Sequence, residues 1–307
     1  MAKIDSIYKD LVNTIINEGK RAPGHPRAHY ADGEPAYTRE IFGVNFKIKP
    51  EDGLPILQSK RIAMKSFKAE IDWIWRLMSN DVRFLQELGS PVWNEWMQKD
   101  GSIGKSYGYQ LANKGYVMDV KKDWLDFNSK NHGHSDTEGN WNMMSTKLNQ
   151  VEYVLHEIIN NPSSRRIMTN LYEVGDLQEM ALFPCVFMTN WQVTSDNKLD
   201  LIVTQRSADV ALGLPSNLFE YSLLHHRIAQ VTGKEVGTLH WNVFNAHIYE
   251  RHIDLLSEQV NADISELENT RAKFILPESL DYFGTSLRDI QVVDYVHNGN
   301  YKYEIAI

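Results

Sequence analysis

Apolar residues recur at helical spacing near the start of the chain. Ile4, Tyr8, Leu11, Val12, Ile15 and Ile16 fall on one face of residues 4–19, and Gly19 marks the end of an amphipathic helix. Residues 21–38, rich in Pro, Gly and His, read as a loop, and residues 39–49 alternate as a strand does. Phe67, Ile71, Ile74, Trp75 and Met78 predict a long, mostly buried helix over 63–80. Strand-like runs follow at 167–171, 187–193 and 199–204. A core helix over 216–232 then carries Leu218, Tyr221, Leu224, Ile228 and Val231 inward. The polar run 126–147 predicts an exposed loop or insertion, with His132 and His134 solvated. The order of elements predicts the α+β class, a mixed sheet flanked by helices. No repeat or linker interrupts it, so one domain is expected over 1–307, with an insertion or loop around 111–147.

Composition narrows the chemistry. With 42% apolar and 23% charged residues, the chain has ordinary globular proportions. It has no stretch of about 18 apolar residues and no signal-peptide pattern, so a cytoplasmic protein is expected. A net charge of −8 argues against a DNA-binding surface. The single cysteine, Cys185, excludes an intrachain disulfide and a zinc site built from thiolates, and no metal is expected. Alone, such a cysteine reads as a small buried hydrophobe. Lys60-Arg61 and Arg165-Arg166 are local basic pairs suited to a small anion.

Three segments change the reading of Cys185. They are Phe183-Pro184-Cys185-Val186, then Gln205-Arg206-Ser207-Ala208-Asp209 with Leu212-Gly213-Leu214-Pro215-Ser216-Asn217, then Asn245-Ala246-His247-Ile248-Tyr249. In order, they resemble the signature of the thymidylate synthase superfamily. The resemblance extends to Pro55-Ile56-Leu57-Gln58-Ser59-Lys60-Arg61, Val92-Trp93-Asn94-Glu95-Trp96, Tyr107-Gly108, Ser164-Arg165-Arg166 and the Ala306-Ile307 tail. Only 111–147 lacks a counterpart.

The resemblance implies the thymidylate synthase fold, a homodimer packed through a sheet face, and a folate-dependent one-carbon transfer to deoxyuridylate (dUMP). It implies that Cys185 attacks carbon 6 of the pyrimidine, turning the ring into a nucleophile at carbon 5, with Arg206 beside it lowering the thiol pKa. It assigns the nucleotide phosphate to Arg27, Arg206 and Ser207 of one subunit and to Arg165 and Arg166 of the other. Asn217 reads the base, with Gln205 in the same segment, and His247 and Tyr249 bind the sugar hydroxyl. Glu70 organises water and moves protons, and Tyr107 lies near the thiol. Trp93, Asp209, Gly213 and Ile307 are assigned to the folate, 5,10-methylenetetrahydrofolate.

Departures from the synthase pattern point to a particular member. Glu70-Ile71-Asp72-Trp73 stands where synthases have E-L-L-W, and phage hydroxymethylases carry an acid at that third place. Trp241-Asn242-Val243-Phe244-Asn245 replaces the usual segment with G-D, and Ser216 replaces a phenylalanine of the folate pocket, whose space Phe244 is expected to refill. A carboxylate at Asp72 placing water at carbon 5 would make the chain a dUMP hydroxymethylase of phage type. Thymidylate synthase is the alternative reading. A retired homologue is a third, opposed by the intact Cys185, Arg206, Asn217, His247 and Tyr249.

Overall fold

The computed structural model describes residues 2–120, 144–267 and 271–307. The elements in order are α1 Lys3–Glu18, β1 Lys20–Arg21, β2 Thr38–Ile48, α2 Met64–Ile71, α3 Arg83–Glu87 and α4 Gly108–Asn113. Then come β3 Tyr116–Val120, β4 Met144–Leu148, α5 Gln150–Asn160, β5 Met168–Asn170, β6 Val186–Val193 and β7 Lys198–Asp209. The chain closes with α6 Gly213–Val231, β8 Glu235–Tyr249, α7 Ile253–Asn261, β9 Lys273–Ile275 and β10 Gln291–Val293. Six strands form one sheet in the order β1-β2-β8-β7-β6-β5. Strands β7 and β8 run parallel and the other neighbours antiparallel. Helices α1, α5 and α6 pack against it, and their buried side chains join those of the strands in one contiguous apolar cluster. The α+β class with a mixed sheet is therefore as expected. Among the described residues, no helix is long and apolar enough to cross a membrane.

The first helix forms as its spacing predicts. Ile4, Tyr8, Leu11, Val12 and Ile15 are buried, and a Cβ on Gly19 would strike the Ile15 carbonyl. Two polar groups then pin it: Tyr8 Oη donates to the Val210 carbonyl at 2.7 Å, and the buried Asp5 carboxylate accepts the backbone N–H groups of Gln58 and Ser59.

Several expectations are revised. The helix over 63–80 is α2 followed by a π-helical turn, Asp72–Arg76, and the chain leaves helical geometry at Met78, with φ +47°. Strand β7 runs on to Asp209, so the Gln205–Asp209 motif lies on its end rather than after it. Strand β8, with 15 residues, carries the Asn245–Tyr249 motif and was not anticipated. Residues 144–147 belong to β4, paired with β3, so the polar run ends as a strand; the loop reading of 126–143 lies outside the described residues.

The sheet contains a shared irregularity that positions the site. Along β7 the inward positions are Leu199, Leu201, Val203 and Gln205, then Ala208, with Thr204 buried as well; along β8 they are Gly237, Leu239, Trp241 and Val243, then Ala246 and Ile248. Period-2 alternation has slipped by one in each strand, so Arg206–Ser207 and Phe244–Asn245 each turn outward as consecutive pairs. On β2, Val44 and Phe46, and then Ile41, pack on the core, and Gly43 between them takes φ +82°. That conformation suits glycine.

Asp72 is an anchor inside this framework. Its fully buried carboxylate accepts Arg76 Nε and Nη2 at 2.6 and 2.7 Å, Ser286 Oγ at 3.0 Å and the Leu287 N–H at 2.8 Å. Asp72→Leu is expected to lower the unfolding free energy by about 3–5 kcal/mol, because the Arg76 guanidinium and the Leu287 N–H lose their acceptor in the interior. Chemical denaturation measures this, and a loss below about 1 kcal/mol would contradict the anchoring role.

Candidate active site

Cys185 follows Pro184 and immediately precedes β6. Its N–H donates to Tyr107 Oη at 2.9 Å, and its carbonyl accepts the Arg206 N–H at 2.8 Å across the sheet. Arg206 Nη2 lies 3.8 Å from Sγ, held by the carbonyls of Pro184 and Phe183. Burial pushes the thiol up, whereas Arg206, Tyr107 and Arg27 pull it down, and burial prevails. The expected low thiol pKa is thus not reached in the single chain; the arginines limit a rise that burial imposes. Tyr107 holds φ +44°, a strained value for a side chain of this size. The next residue, Gly108, passes so close to Ser79 that a Cβ would strike its backbone.

On the outward side of the slipped strands, Arg206, Ser207, Asn245, His247, Thr38 and Glu40 line a cavity of about 360 Å³. Asn245 Nδ2 donates to the Glu40 carboxylate at 2.9 Å, which leaves Asn245 Oδ1 facing His247 Nδ1 at 3.0 Å. Nδ1 therefore carries the proton and Nε2 is an acceptor. Burial lowers the His247 pKa and keeps the ring neutral. Tyr249 packs edge-on against His247, and burial pushes its phenol up to about 12. An imidazole acceptor beside a protonated phenol suits a hydroxyl group.

On the core side lies a chain of polar groups with a fixed direction. The Trp241 indole N–H can only donate, and it meets Gln205 Oε1 at 3.2 Å. Gln205 Nε2 then donates to Asn217 Oδ1 at 3.0 Å, and Asn217 Nδ2 donates to Glu220 Oε2 at 3.0 Å. From the other side, Trp93 Nε1 donates to Glu70 Oε1 at 2.9 Å. Glu70 on α2 and Glu220 on α6 are both buried where these helices pack, and each carboxyl group feels the other.

Most of the expected residues converge. The thiol of Cys185 is influenced by Arg206, Tyr107, Arg27 and Asp209. Gln205 pairs with Val186 across the sheet, and Trp93 links Glu70, on which its N–H sits, to Tyr107, whose ring it meets edge-on at 5.1 Å. Arg27 is exposed on the loop that Ile307 joins through two backbone bonds to His29, at 2.8 and 3.0 Å. Asp209 Oδ1 accepts the N–H groups of Ala211 and Leu212, setting the turn into α6, which opens at Gly213. Asn217 lies within this helix, since α6 starts earlier than its apolar spacing suggests; it does not cap it.

Other residues are placed elsewhere. Asp72 is not in the cluster, its oxygens being taken by Arg76, Ser286 and Leu287. Trp93 is buried, with its indole N–H on Glu70, so it positions that carboxyl rather than offering a face to a ligand. Trp96, edge-on to Trp93 at 5.5 Å, is the more exposed of the two rings. Phe244 packs on Phe187 on the outward side and does not fill space near Ser216, whose Oγ donates to the Gly213 carbonyl. Lys60 is buried, donates to the Ala211 carbonyl at 2.7 Å, and is lowered by burial to about 8, so it is not a free anion contact. Arg165 and Arg166 are exposed beyond α5, and no described contact joins them to Cys185. Glu220 and Glu40 were not anticipated; the signal for Glu220 was an acid three positions after Asn217 in an otherwise core helix.

The family model described as thymidylate synthase matches residues 6–307. A thymidylate synthase of Fusobacterium nucleatum is 40% identical over 307 residues, covering 100% of this chain and 99% of that protein. One of Bacillus phage phi3T is 36% identical over 309 residues, covering 100% of both. Among solved structures, the thermostable thymidylate synthase A from Bacillus subtilis superposes with a TM-score of 0.84 at 35% identity, covering 99% of each chain.

Because Cys185 is the one cysteine, its alkylation by iodoacetamide reads its ionisation directly. With the thiol raised by burial, the rate is expected to grow roughly tenfold per pH unit from about pH 7 to pH 9. Arg206→Ala should push the pKa higher and slow the reaction at a given pH several-fold. A plateau in wild type by about pH 7.5, or faster alkylation of the alanine variant, would contradict the assignment.

Proposed function

We propose, from the premise that this chain belongs to the thymidylate synthase family, that it methylates dUMP to thymidylate with 5,10-methylenetetrahydrofolate as cosubstrate. Membership makes it a folate-dependent one-carbon transferase. The observation that carries the reading is the directed chain from Trp241 through Gln205 to Asn217 beside the Cys185–Arg206 pair. It leaves the Asn217 amide one N–H and one lone pair, a match for the carbonyl at carbon 4 and the N3–H of uracil.

The residues divide the work. Cys185 adds to carbon 6, with Arg206 stabilising the thiolate at the moment of attack. Arg206, Ser207 and Arg27 offer charge and hydrogen bonds to the phosphate. His247 Nε2 and Tyr249 take the sugar 3′-hydroxyl. Glu70 holds and moves protons near the base. The folate supplies the one-carbon unit and the hydride that completes the methyl group. The donor set fits such a cosubstrate: Asp209 is an acceptor whose charge reaches Cys185, Trp96 is a half-exposed flat ring, and the Ile307 tail is docked beside Arg27.

Hydroxymethylation rested on three departures. Asp72 is occupied as an anchor and Phe244 packs on Phe187, which leaves Ser216 alone beside the start of α6. Synthase chemistry is therefore the better reading. We also infer a homodimer through the outward sheet face, where Phe42 and Phe244 are 83% and 43% exposed, with Arg165 and Arg166 donated across it.

Wild-type enzyme given dUMP and methylenetetrahydrofolate should release thymidylate and dihydrofolate one-for-one. 5-Hydroxymethyl-dUMP without dihydrofolate would instead establish the hydroxymethylase. In the same assay, heterodimers of Cys185→Ser with the Arg165→Ala, Arg166→Ala double variant should recover activity that neither homodimer has, because one of their two sites is intact. Properly formed but inactive heterodimers would refute the shared site.

A further inference from the structure

Two runs of hydrogen bonds meet head-on under α6. From Trp241, every bond is donated toward Glu220, and from Trp93 the bond is donated toward Glu70. Neither run can be reversed, because an indole has a proton to give and no lone pair in its plane to accept with. Both runs therefore end on acceptors, and the two acceptors are buried carboxyl groups on the packed helices α2 and α6, each shifting the titration of the other. Glu220 Oε1 is buried and takes no bond from an amide or hydroxyl among the described residues. Two carboxylates so placed and so dry repel unless one proton lies between them.

We propose that Glu220 is a positioning residue for this site: it shares a single proton with Glu70, so that the two act as one acid, and its other oxygen pins the Asn217 amide in the orientation that reads uracil rather than cytosine. The inference rests on the dUMP reading above. Its second half follows from geometry. An asparagine accepts from N3–H and donates to the carbonyl of uracil. To read cytosine it must turn over, donating to N3 and accepting from the amino group. Gln205 fixes the oxygen end of Asn217 and Glu220 fixes the nitrogen end, so the turned form would set like against like at both contacts.

The electrostatics agrees with a shared proton. Burial raises Glu70, and burial together with the charge of Glu70 raises Glu220 well above the ordinary carboxyl range. The other titratable groups facing the pair are the phenols of Tyr107 and Tyr221, both kept protonated by burial. Among the described residues, no lysine, arginine or histidine forms an ion pair with either carboxyl. The pair is thus titrated as a unit.

Glu220→Gln and Glu220→Leu separate the two halves. Glutamine copies the protonated acid: its carbonyl can accept from Asn217 and its N–H₂ can donate to Glu70, but it cannot ionise. The acidic limb of kcat/KM for dUMP, where Glu70 takes up a proton while Glu220 is already protonated, should then rise by about half a unit or more, since an amide N–H steadies the Glu70 carboxylate less than the acid O–H it replaces. The preference for dUMP over dCMP should stay within about threefold of wild type. Leucine removes the pin, and that preference should drop about tenfold or more. Circular dichroism and thermal melting establish that each variant is folded, and if the leucine variant is not, the glutamine profile alone decides. Independently of turnover, difference infrared titration should show a protonated buried carboxyl in wild type near neutral pH that is absent in Glu220→Gln. An acidic limb unmoved or lowered by glutamine, or no such carboxyl band, overturns the shared proton. Unchanged base preference in a folded leucine variant overturns the pin. Wild type that shows the band yet makes no product from dUMP would refute the functional reading and leave the proton pair intact.

Discussion

The indole N–H of Trp241 can only donate, and that one-way bond orders the polar groups beneath α6. It forces Gln205 to present its oxygen to Trp241 and its nitrogen to Asn217, which in turn directs the Asn217 nitrogen at Glu220. The parallel pairing of β7 with β8 makes this possible. It sets Gln205 opposite Val243 and Val203 opposite Trp241, so both polar side chains point into the same dry space. An interior polar group without a partner costs about 1–3 kcal/mol, so a wedge this rich in amides and carboxyls is stable only as a complete network. A binding site built from the ends of that network inherits its orientation and needs little adjustment when a base arrives.

A second constraint separates the charged half of the site from the neutral half. Where alternation slips along β7 and β8, Gln205 stays on the core side while Arg206 and Ser207 turn out. Adjacent residues of one strand thus serve two environments. The inner one is a buried chain of amides and carboxyls with a fixed hydrogen-bond direction. The outer one is a cavity of guanidinium, hydroxyl and imidazole suited to a phosphorylated sugar. Cys185 sits at the seam, bonded through its backbone to Tyr107 and Arg206. Its thiol is held by a balance in which burial outweighs the arginines, which keeps an unoccupied nucleophile largely protonated until ligand and charge are assembled around it.

Much of this was legible in the chain. Cys185, Arg206, Asn217, His247 and Tyr249 stand in short motifs whose residue types are fixed by chemistry, and the folded chain gathers them. The first helix was legible because six apolar residues share one face. What escaped was information carried by distant partners. Asp72 looked like a site acid because an acid in an apolar helix needs company; its company is Ser286 and Leu287, more than 200 positions away. Trp93 looked like a ligand platform, and only the fold shows its N–H on Glu70. The length of β8 was hidden because its alternation slips midway, and Glu220 was hidden inside a helix buried on nearly every side.

Cys185, Arg206 and Asn217 are proposed to form one covalent pyrimidine site. Incubation with 5-fluoro-dUMP and methylenetetrahydrofolate tests it most directly, because fluorine at carbon 5 cannot leave as a proton does and the thioether to carbon 6 persists. Denaturing mass spectrometry should find nucleotide and folate together on the peptide containing Cys185, formed only when both are supplied. A chain that binds the analogue yet carries no covalent adduct on Cys185 would contradict the account.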